Sequence, residues 1–271
     1  MTCLLHIEMI NLARAPERRA RMQGELAAAG VTAAFHPAFD KEAHPREEML
    51  KHCRPDGPWG AFHDSNMAIT ISHAQVWERF LAAKASHCLV MEDDVFIAPE
   101  LGAWLQDMSW WPADADMVKL ERWRARSAKV LLGHAGDTYR GRRVVRLLSR
   151  HVGAAGYILT RAAARRFLDQ RPFNITIDNL LFNFNASPAA RAMRVYQVQP
   201  ALIEQGNEPE GIPVQTAKRY RPKGMALVRQ KLKRAYYELA YPLPTLASAA
   251  TGRASLHRIT FDAQPMTKAA S

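Results

Sequence analysis

Apolar and polar positions fall in blocks along the chain, and the length of each block sets the element it predicts. "LLHIEMINL", residues 4–12, mixes apolar and polar positions with Ile-rich content and predicts a first strand. "APERRARMQGELAAAG" follows as a helix; Pro16 suits its first turn and Gly30 the stop just past its last. "TAAFHPAFD" predicts a second short strand and loop, and residues 41–66, rich in Pro, Gly and His, an irregular stretch. "NMAITISHAQVWERFLAAKAS" is a helix with Ile71, Val76, Phe80 and Leu81 on its apolar face. "CLVMEDDV" reads as a strand, "PELGAWLQDM" as a helix and "DMVKLE", 116–121, as a strand. Two β-rich runs follow around a Gly-Asp turn region in "AKVLLGHAGDTYRGRRVVRLLSR", and "GAAGYILTRAAARRFLDQR" is a strand running into a helix. This alternation of β and α predicts an α/β domain with a mainly parallel sheet.

In such sheets ligands gather at the carboxyl ends of strands. Cys88-Leu89-Val90-Met91 is a short run of buried type, and Glu92, Asp93 and Asp94 stand at its end. Three adjacent acids repel one another and raise each other's pKa. A divalent cation would relieve that repulsion, and carboxylate oxygens are the hard ligands that Mg²⁺ and Mn²⁺ prefer. Alternate residues of an extended segment share a face, so Glu92 and Asp94 point one way and Asp93 the other. A metal held there could bind a diphosphate. A solvated acidic turn has the same spacing, and spacing alone leaves both readings open.

Composition narrows the partners. With 271 residues, 48% of them apolar, the chain can build one large core, with or without an appendage. Lys and Arg number 37 against 26 Asp and Glu, a formal charge of +11 that favours nucleic acid, an acidic membrane surface or a phosphorylated substrate. Cys3, Cys53 and Cys88 form no CxxC pair, which argues against a disulfide scaffold or zinc site and for a reducing compartment. His6 and Glu8 interrupt the first apolar stretch and its positive charges come afterwards, unlike a signal peptide. No apolar run approaches the roughly 18 residues of a membrane span.

Four stretches, in order, resemble glycosyltransferase family 25, the bacterial lipooligosaccharide glycosyltransferases related to collagen galactosyltransferases. "MINLARAPERRARM" resembles its opening strand and two-arginine turn, with Asn11, Leu12, Arg14, Arg18 and Arg19. "ITISHAQVW" resembles its Ser-His helix, with Ser72, His73 and Trp77. "LVMEDDV" resembles its Leu-Glu-Asp-Asp-Val signature, and "GAAGYILTRAAARRFL" followed by "ITIDNLLF" its late strand, helix and acidic motif. The resemblance spans roughly residues 4–205; Asn66, Ala68 and Ile69 depart from the Glu and Gly-Cys usual there, which puts acceptor preference and activity in question.

The resemblance implies a GT-A-like nucleotide-sugar-binding fold that uses a UDP-sugar, often UDP-galactose, with inversion at the anomeric carbon. Asp94 and Glu92 would hold Mn²⁺ or Mg²⁺, with His151 a further ligand to consider. Asn11, Leu12, Arg14, Arg18, Ser72, His73, Glu92 and Asp93 would line the donor site. Asp178 would be the base that deprotonates the acceptor, with Asp93 as fallback; a helix N-cap role for Asp178 fits the same position. The acceptor would be a lipid-linked or lipopolysaccharide-type glycan, with no nucleic-acid partner. Two other classes share some of these features: a metal-dependent nucleic-acid enzyme, and a non-catalytic sugar-binding relative with a degenerate site.

The chain after Thr216 differs from the rest. Residues 216–238 hold eight Lys and Arg and one acid, with Val228, Leu232, Ala235 and Leu239 on one helical stripe and Tyr236, Tyr237 and Tyr241 along it. This predicts a basic amphipathic helix on an anionic membrane surface, or a helix packed on the domain. With a lipid-linked acceptor the first is expected, placing the protein in the cytoplasm, peripheral on the inner face of the inner membrane. Residues beyond Pro242, small and polar, are expected to be poorly ordered. The division is thus 1–215 for the catalytic domain and 216–271 for the basic tail.

Overall fold

The computed structural model describes residues 5–57, 60–123, 129–206, 224–240 and 243–262. From the N-terminus, β1 (Leu5–Asn11) leads through α1 (Pro16–Ala28) to β2 (Ala34–Pro37). A short α2 (Arg46–His52) and the two-residue strands β3 (Asp56–Gly57) and β4 (Gly60–Ala61) occupy the stretch predicted as irregular. The long α3 (Asp64–Ala82) returns the chain to β5 (His87–Glu92). β6 (Val95–Ile97), α4 (Leu101–Gln106), β7 (Met117–Lys119) and β8 (Glu121–Trp123) come next, then the hairpin of β9 (Lys129–Tyr139) and β10 (Arg142–Leu147). β11 (Gly156–Thr160) runs directly into α5 (Arg161–Leu168); α6 (Ile177–Phe182) and α7 (Pro188–Arg191) precede β12 (Val195–Gln199) and β13 (Ile203–Gln205). α8 (Met225–Ala240), α9 (Leu243–Ala250) and β14 (Ala254–Arg258) complete the order.

Nine strands form one sheet in the order β14-β9-β10-β12-β7-β11-β5-β1-β2. Only β2–β1, β1–β5 and β12–β7 pair in parallel; the other neighbours are antiparallel. The α/β class holds, but the expected mainly parallel sheet does not. Alternation of helix and strand patterns does not fix strand direction. β11 inserts between β5 and β7 against both, and the β9–β10 turn is too short to permit anything but a hairpin. Arg140 and Gly141 carry that turn with φ of 45° and 78°, the left-handed backbone that tight hairpins require.

The parallel part positions the site. β2 lies on one side of β1 and β5 on the other, so the crossovers through α1 and α3 cover opposite faces. Met22 and Leu26 of α1 pack with Met9, Leu89 and Met91. Ile71, Val76, Trp77 and Phe80 of α3 pack with Cys88 and Val90. β5 therefore buries alternate side chains on both faces, and each large one contributes about 1.5–3 kcal/mol. The connections diverge between β1 and β5, the place where α/β sheets bind their ligands.

The C-terminal segment returns to the sheet. β14 pairs with β9 from Ala254↔Gly133 to Arg258↔Lys129. Ala201 N–H donates to the Thr260 carbonyl at 2.7 Å, and the buried Arg142 donates to the carbonyls of Ala201 and Asp262 at 2.7 and 3.0 Å. Poor order after Pro242 is thus not found at residues 254–262; the backbone edge of β9 supplies partners that small residues can still use. Residues 216–223 and the expected 215/216 boundary lie outside the described residues. α8 is helical as predicted, and its stripe faces solvent: Val228 is 48% exposed, Leu232 66%, Met225 75% and Tyr236 62%. The side chains of Tyr237, Leu239 and Tyr241 lie outside the description. Among the described residues no helix is long and apolar enough to cross a membrane.

Candidate active site

The three acids inherit the alternation of β5. Cys88 and Val90 face α3, and Glu92 continues that face; Leu89 and Met91 face α1, and Asp93 continues theirs. Glu92 Oε1 accordingly meets His73 Nε2 of α3 at 3.1 Å. Asp93 meets the other side: Oδ2 accepts from Asn11 Nδ2 at 2.7 Å, and Oδ1 from Arg18 Nη1 at 3.0 Å. Arg21 fixes the turn by its backbone, donating to the carbonyls of Asp93 (3.0 Å) and Val95 (2.9 Å). β13 pairs antiparallel to β6 and sets Gln205 opposite Val95. The Gln205 amide then donates to Glu92 Oε2 at 3.2 Å and to both Asp94 oxygens at 3.3 and 3.2 Å. Glu92 and Asp94 thus share one partner on one side of the turn.

Their electrostatics follow from that crowding. Burial first, then the charges of Asp93 and Asp178, push the Glu92 carboxyl up to about 7. Burial and the Glu92 charge push Asp94 up to about 8. Lys119 and Arg18 act in the opposite sense on Glu92. The Lys119 ammonium is buried, donates to the carbonyls of Val152 (3.0 Å) and Gly153 (2.5 Å), and lies 4.2 Å from the Phe182 ring centre. It also pairs with the buried Glu121 at 3.3 Å, whose Oε2 accepts from Ala155 N–H at 2.8 Å. Burial lowers the pKa of this lysine, while Glu121, Asp178 and Glu92 raise it. Asp178 therefore belongs to the same electrostatic group as the triplet, though α6 lies far from β5 in sequence.

A hydrogen-bond chain backs Glu92. Trp77 Nε1 and His73 Nδ1 both meet the Tyr157 hydroxyl, at 3.0 and 2.8 Å. Indole only donates, so Tyr157 accepts from Trp77. The buried hydroxyl proton then has one acceptor among the described residues, His73 Nδ1. His73 is held neutral, since burial lowers its pKa to about 3. Its proton accordingly sits on Nε2 and is donated to Glu92.

The structure gathers some expected residues and separates others. Asn11, Arg18, Glu92, Asp93 and Asp94 converge. His73 touches Glu92 from behind and is fully buried, so it supports that carboxylate and presents no surface to a ligand. Ser72 is buried too, its hydroxyl accepting from Phe39 N–H and donating to the Ala68 carbonyl. Arg14 pairs with Asp40 at 2.7 Å, and Leu12 offers its carbonyl to Ala15 N–H at 2.9 Å. Asp178 lies in the first turn of α6, with Thr176 as the N-cap residue. Its Oδ1 accepts from Thr176 Oγ1 (2.5 Å) and Asn179 Nδ2 (3.1 Å). His151 is bonded to Gln197 at 3.0 Å, and no cluster of three or more His, Cys, Asp or Glu able to hold a metal forms among the described residues. Asn66 and Ala68 give carbonyls to Thr70 and Ser72, while Ile69 is 42% exposed. Arg21, Lys119, Tyr157 and Gln205 complete the group without a role expected for them. Arg21 and Tyr157 lie inside two of the family-like stretches, the second resembling the family's Tyr-containing strand, and Lys119 and Glu121 stand two apart in "DMVKLE".

Carboxylates at the end of a parallel strand where connections diverge, backed by a buried polar chain, stand where α/β enzymes hold their ligands. The family model described as glycosyltransferase family 25 (LPS biosynthesis protein) matches residues 5–181, and the chain belongs to this family of glycosyltransferases. It is 30% identical over 205 residues to the lacto-N-neotetraose biosynthesis glycosyltransferase LgtE of Neisseria gonorrhoeae, covering 73% of this chain and 72% of that protein. LgtB of the same species is 30% identical over 210 residues, 73% of each chain. The lipooligosaccharide biosynthesis protein lic2B of Haemophilus influenzae is 24% identical over 218 residues, 74% of this chain and 76% of that one. A solved glycosyltransferase involved in glycosylation of the major capsid of PBCV-1 aligns with a TM-score of 0.39 and 9% identity over 76% of this chain and 95% of its own, too distant to argue from.

Tyr157→Phe tests the chain behind Glu92. It strands the Trp77 N–H and the His73 Nδ1 lone pair in a dry interior, so stability should fall by about 2–4 kcal/mol in chemical denaturation. A loss under about 0.5 kcal/mol would mean that neither group depends on the hydroxyl.

Proposed function

We propose that the chain moves a sugar, galactose from UDP-galactose in the first instance, onto a lipopolysaccharide- or lipooligosaccharide-type glycan with inversion at the anomeric carbon. One observation carries the reading: Glu92 and Asp94 share the Gln205 amide at the end of β5, with Glu92 within electrostatic reach of Asp178. The printed names of the relatives, lacto-N-neotetraose and lipooligosaccharide biosynthesis, support this class of acceptor.

Residues and a divalent cation fit one another here. Two crowded carboxylates with raised pKa gain from a cation, and both are hard oxygen donors. Glu92 and Asp94 would hold Mn²⁺ or Mg²⁺, which would supply charge neutralisation for the leaving diphosphate. With two protein carboxylates available, the remaining ligands would be water and donor oxygens. Arg18 and Arg21 add positive charge at the same rim.

In the transfer itself the bond from the anomeric carbon to the diphosphate oxygen breaks, its electron pair leaving with UDP. A bond forms from the acceptor oxygen, whose proton goes to a base. Asp178 suits that role. Thr176 and Asn179 hold its Oδ1, and among the described residues Oδ2 carries no hydrogen bond. Both Asp93 oxygens are engaged by Asn11 and Arg18, which favours an anchoring role for Asp93 over that of base.

α8 would bring the enzyme to its substrate. Its exposed Met225, Val228, Leu232 and Tyr236 share one face, flanked by Arg229 and Lys231, a pattern that suits an anionic lipid surface at about 1 kcal/mol per basic residue.

Three measurements test these assignments. Asp94→Ala should remove the Mn²⁺-dependent thermal stabilisation by UDP, which in the native protein reaches about 2.7 kcal/mol at a hundredfold excess over Kd. Full retention would move the metal elsewhere. Asp178→Asn should keep UDP binding and lose at least about hundredfold in transfer rate, the usual worth of a general base; near-normal turnover would remove Asp178 from the role. Because β14 belongs to the sheet, the α8 test changes side chains and keeps the C-terminal residues. The combination Arg229→Glu, Lys231→Glu, Leu232→Ser and Tyr236→Ser should abolish co-sedimentation with anionic vesicles and leave transfer to a soluble acceptor unchanged. Equal sedimentation of variant and native protein would exclude α8 as the contact.

A further inference from the structure

A cavity of about 480 Å³ lies apart from the acidic turn, with none of Glu92, Asp93 or Asp94 in its lining. The volume falls within the roughly 300–1,000 Å³ of ligand sites. Its floor is apolar, from Phe173, Ile175 and Leu180, and Asn174, Asp56 and Lys233 contribute polar groups. That mixture suits a sugar ring, whose C–H faces need apolar contact and whose hydroxyls need a few fixed polar partners.

Two neighbours give the cavity a direction. Asn174, Ile175 and Leu180 line it, and Asp178, outside the lining, lies between them in the chain in the first turn of α6. The other is α8, from which Lys233 joins the lining and donates by Nζ to the Gly57 carbonyl at 3.1 Å. Nearby, Gln230 packs so closely on Gly60, where φ is 111°, that a Cβ there would stand 2.2 Å from the Gln230 amide nitrogen. The helix that turns an apolar stripe outward therefore contributes a cation to the cavity from another side. Charge gives it a preference. Lys233 and Arg191 line it against one acid, Asp56, which favours a ligand bearing negative charge.

We propose that this cavity is an acceptor subsite, holding a sugar unit with an anionic substituent while the hydroxyl to be glycosylated reaches toward Asp178. The assignment rests on the glycosyltransferase reading above and names where that enzyme holds its second substrate. The lipid end of the acceptor then leaves past α8, whose far side presents the exposed stripe.

The test uses the full chain and a lipid-free, phosphorylated lipooligosaccharide core oligosaccharide, with its dephosphorylated form as the second probe. Lys233→Glu should weaken binding of the phosphorylated oligosaccharide about tenfold, and of the dephosphorylated one far less. Asn174→Ala should weaken both. Neither variant should change acceptor-free hydrolysis of UDP-galactose, which depends on the carboxylates at the end of β5. The proposal is overturned if both variants bind the oligosaccharide as the native chain does, or if the native chain does not bind it. It is also overturned if millimolar inorganic phosphate displaces the oligosaccharide fully, since the cavity would then be a simple anion site. Absence of UDP-galactose hydrolysis by the native chain would count against the donor reading, and the binding measurements would still decide the subsite.

Discussion

Burial of β5 on both faces constrains everything around it. From Cys88 to Met91 each side chain enters one of two apolar layers, so no charge can be placed until the strand clears the sheet. Glu92 is the first residue that can be acidic, and strand alternation delivers it to α3 and its successor to α1. Asp93 then serves as a peg: Asn11 at the end of β1 and Arg18 of α1 both close on it. The same turn aims Asp94 back toward Gln205. The site is the place where a two-faced hydrophobic strand runs out of core.

Holding acids there requires compensation, and the structure supplies it in layers. Lys119 stands behind Glu92 with its charge buried, hydrogen-bonded to two backbone carbonyls and paired with Glu121. Tyr157 and Trp77 lock the neutral His73 so that it donates toward Glu92. Buried polar groups are tolerable when each has its partner, and a chain in which each member fixes the next leaves Glu92 one orientation. The crowding that remains falls on Glu92 and Asp94, whose carboxyls are pushed up to about 7 and 8.

The C-terminal segment joins the two ends of the molecule. β14 covers the edge of β9, and carbonyls after it receive Arg142 and Ala201 N–H, while Lys233 of α8 donates to the Gly57 carbonyl of β3. A stretch with the composition of a detachable tail thus has one part bound into the sheet and another, the apolar stripe of α8, left facing outward.

Much of this was legible in the chain. Most elements up to α5, the helix α8, the acidic turn at the end of β5 and the opposite directions of Glu92 and Asp93 follow from periodicity, because both helix and strand repeat over distances that a short window samples; the short elements from α6 to β13, and β14, carried no such signal. The family motifs brought Asn11, Arg18, His73 and Asp178 into view. Strand direction was not legible, since an apolar strand reads alike whichever way its neighbour runs; β11 between β5 and β7 was decided by tertiary pairing. Nor were Gln205 and Tyr157, which reach Glu92 from 113 residues and, through His73, 84 residues away. No local pattern marks a glutamine that will bridge two carboxylates or a tyrosine that will set a tautomer. Local sequence determined which residues could be charged and which way each side chain left its strand. The packing of distant strands decided which charges meet, because only the closed sheet brings their atoms within hydrogen-bond reach.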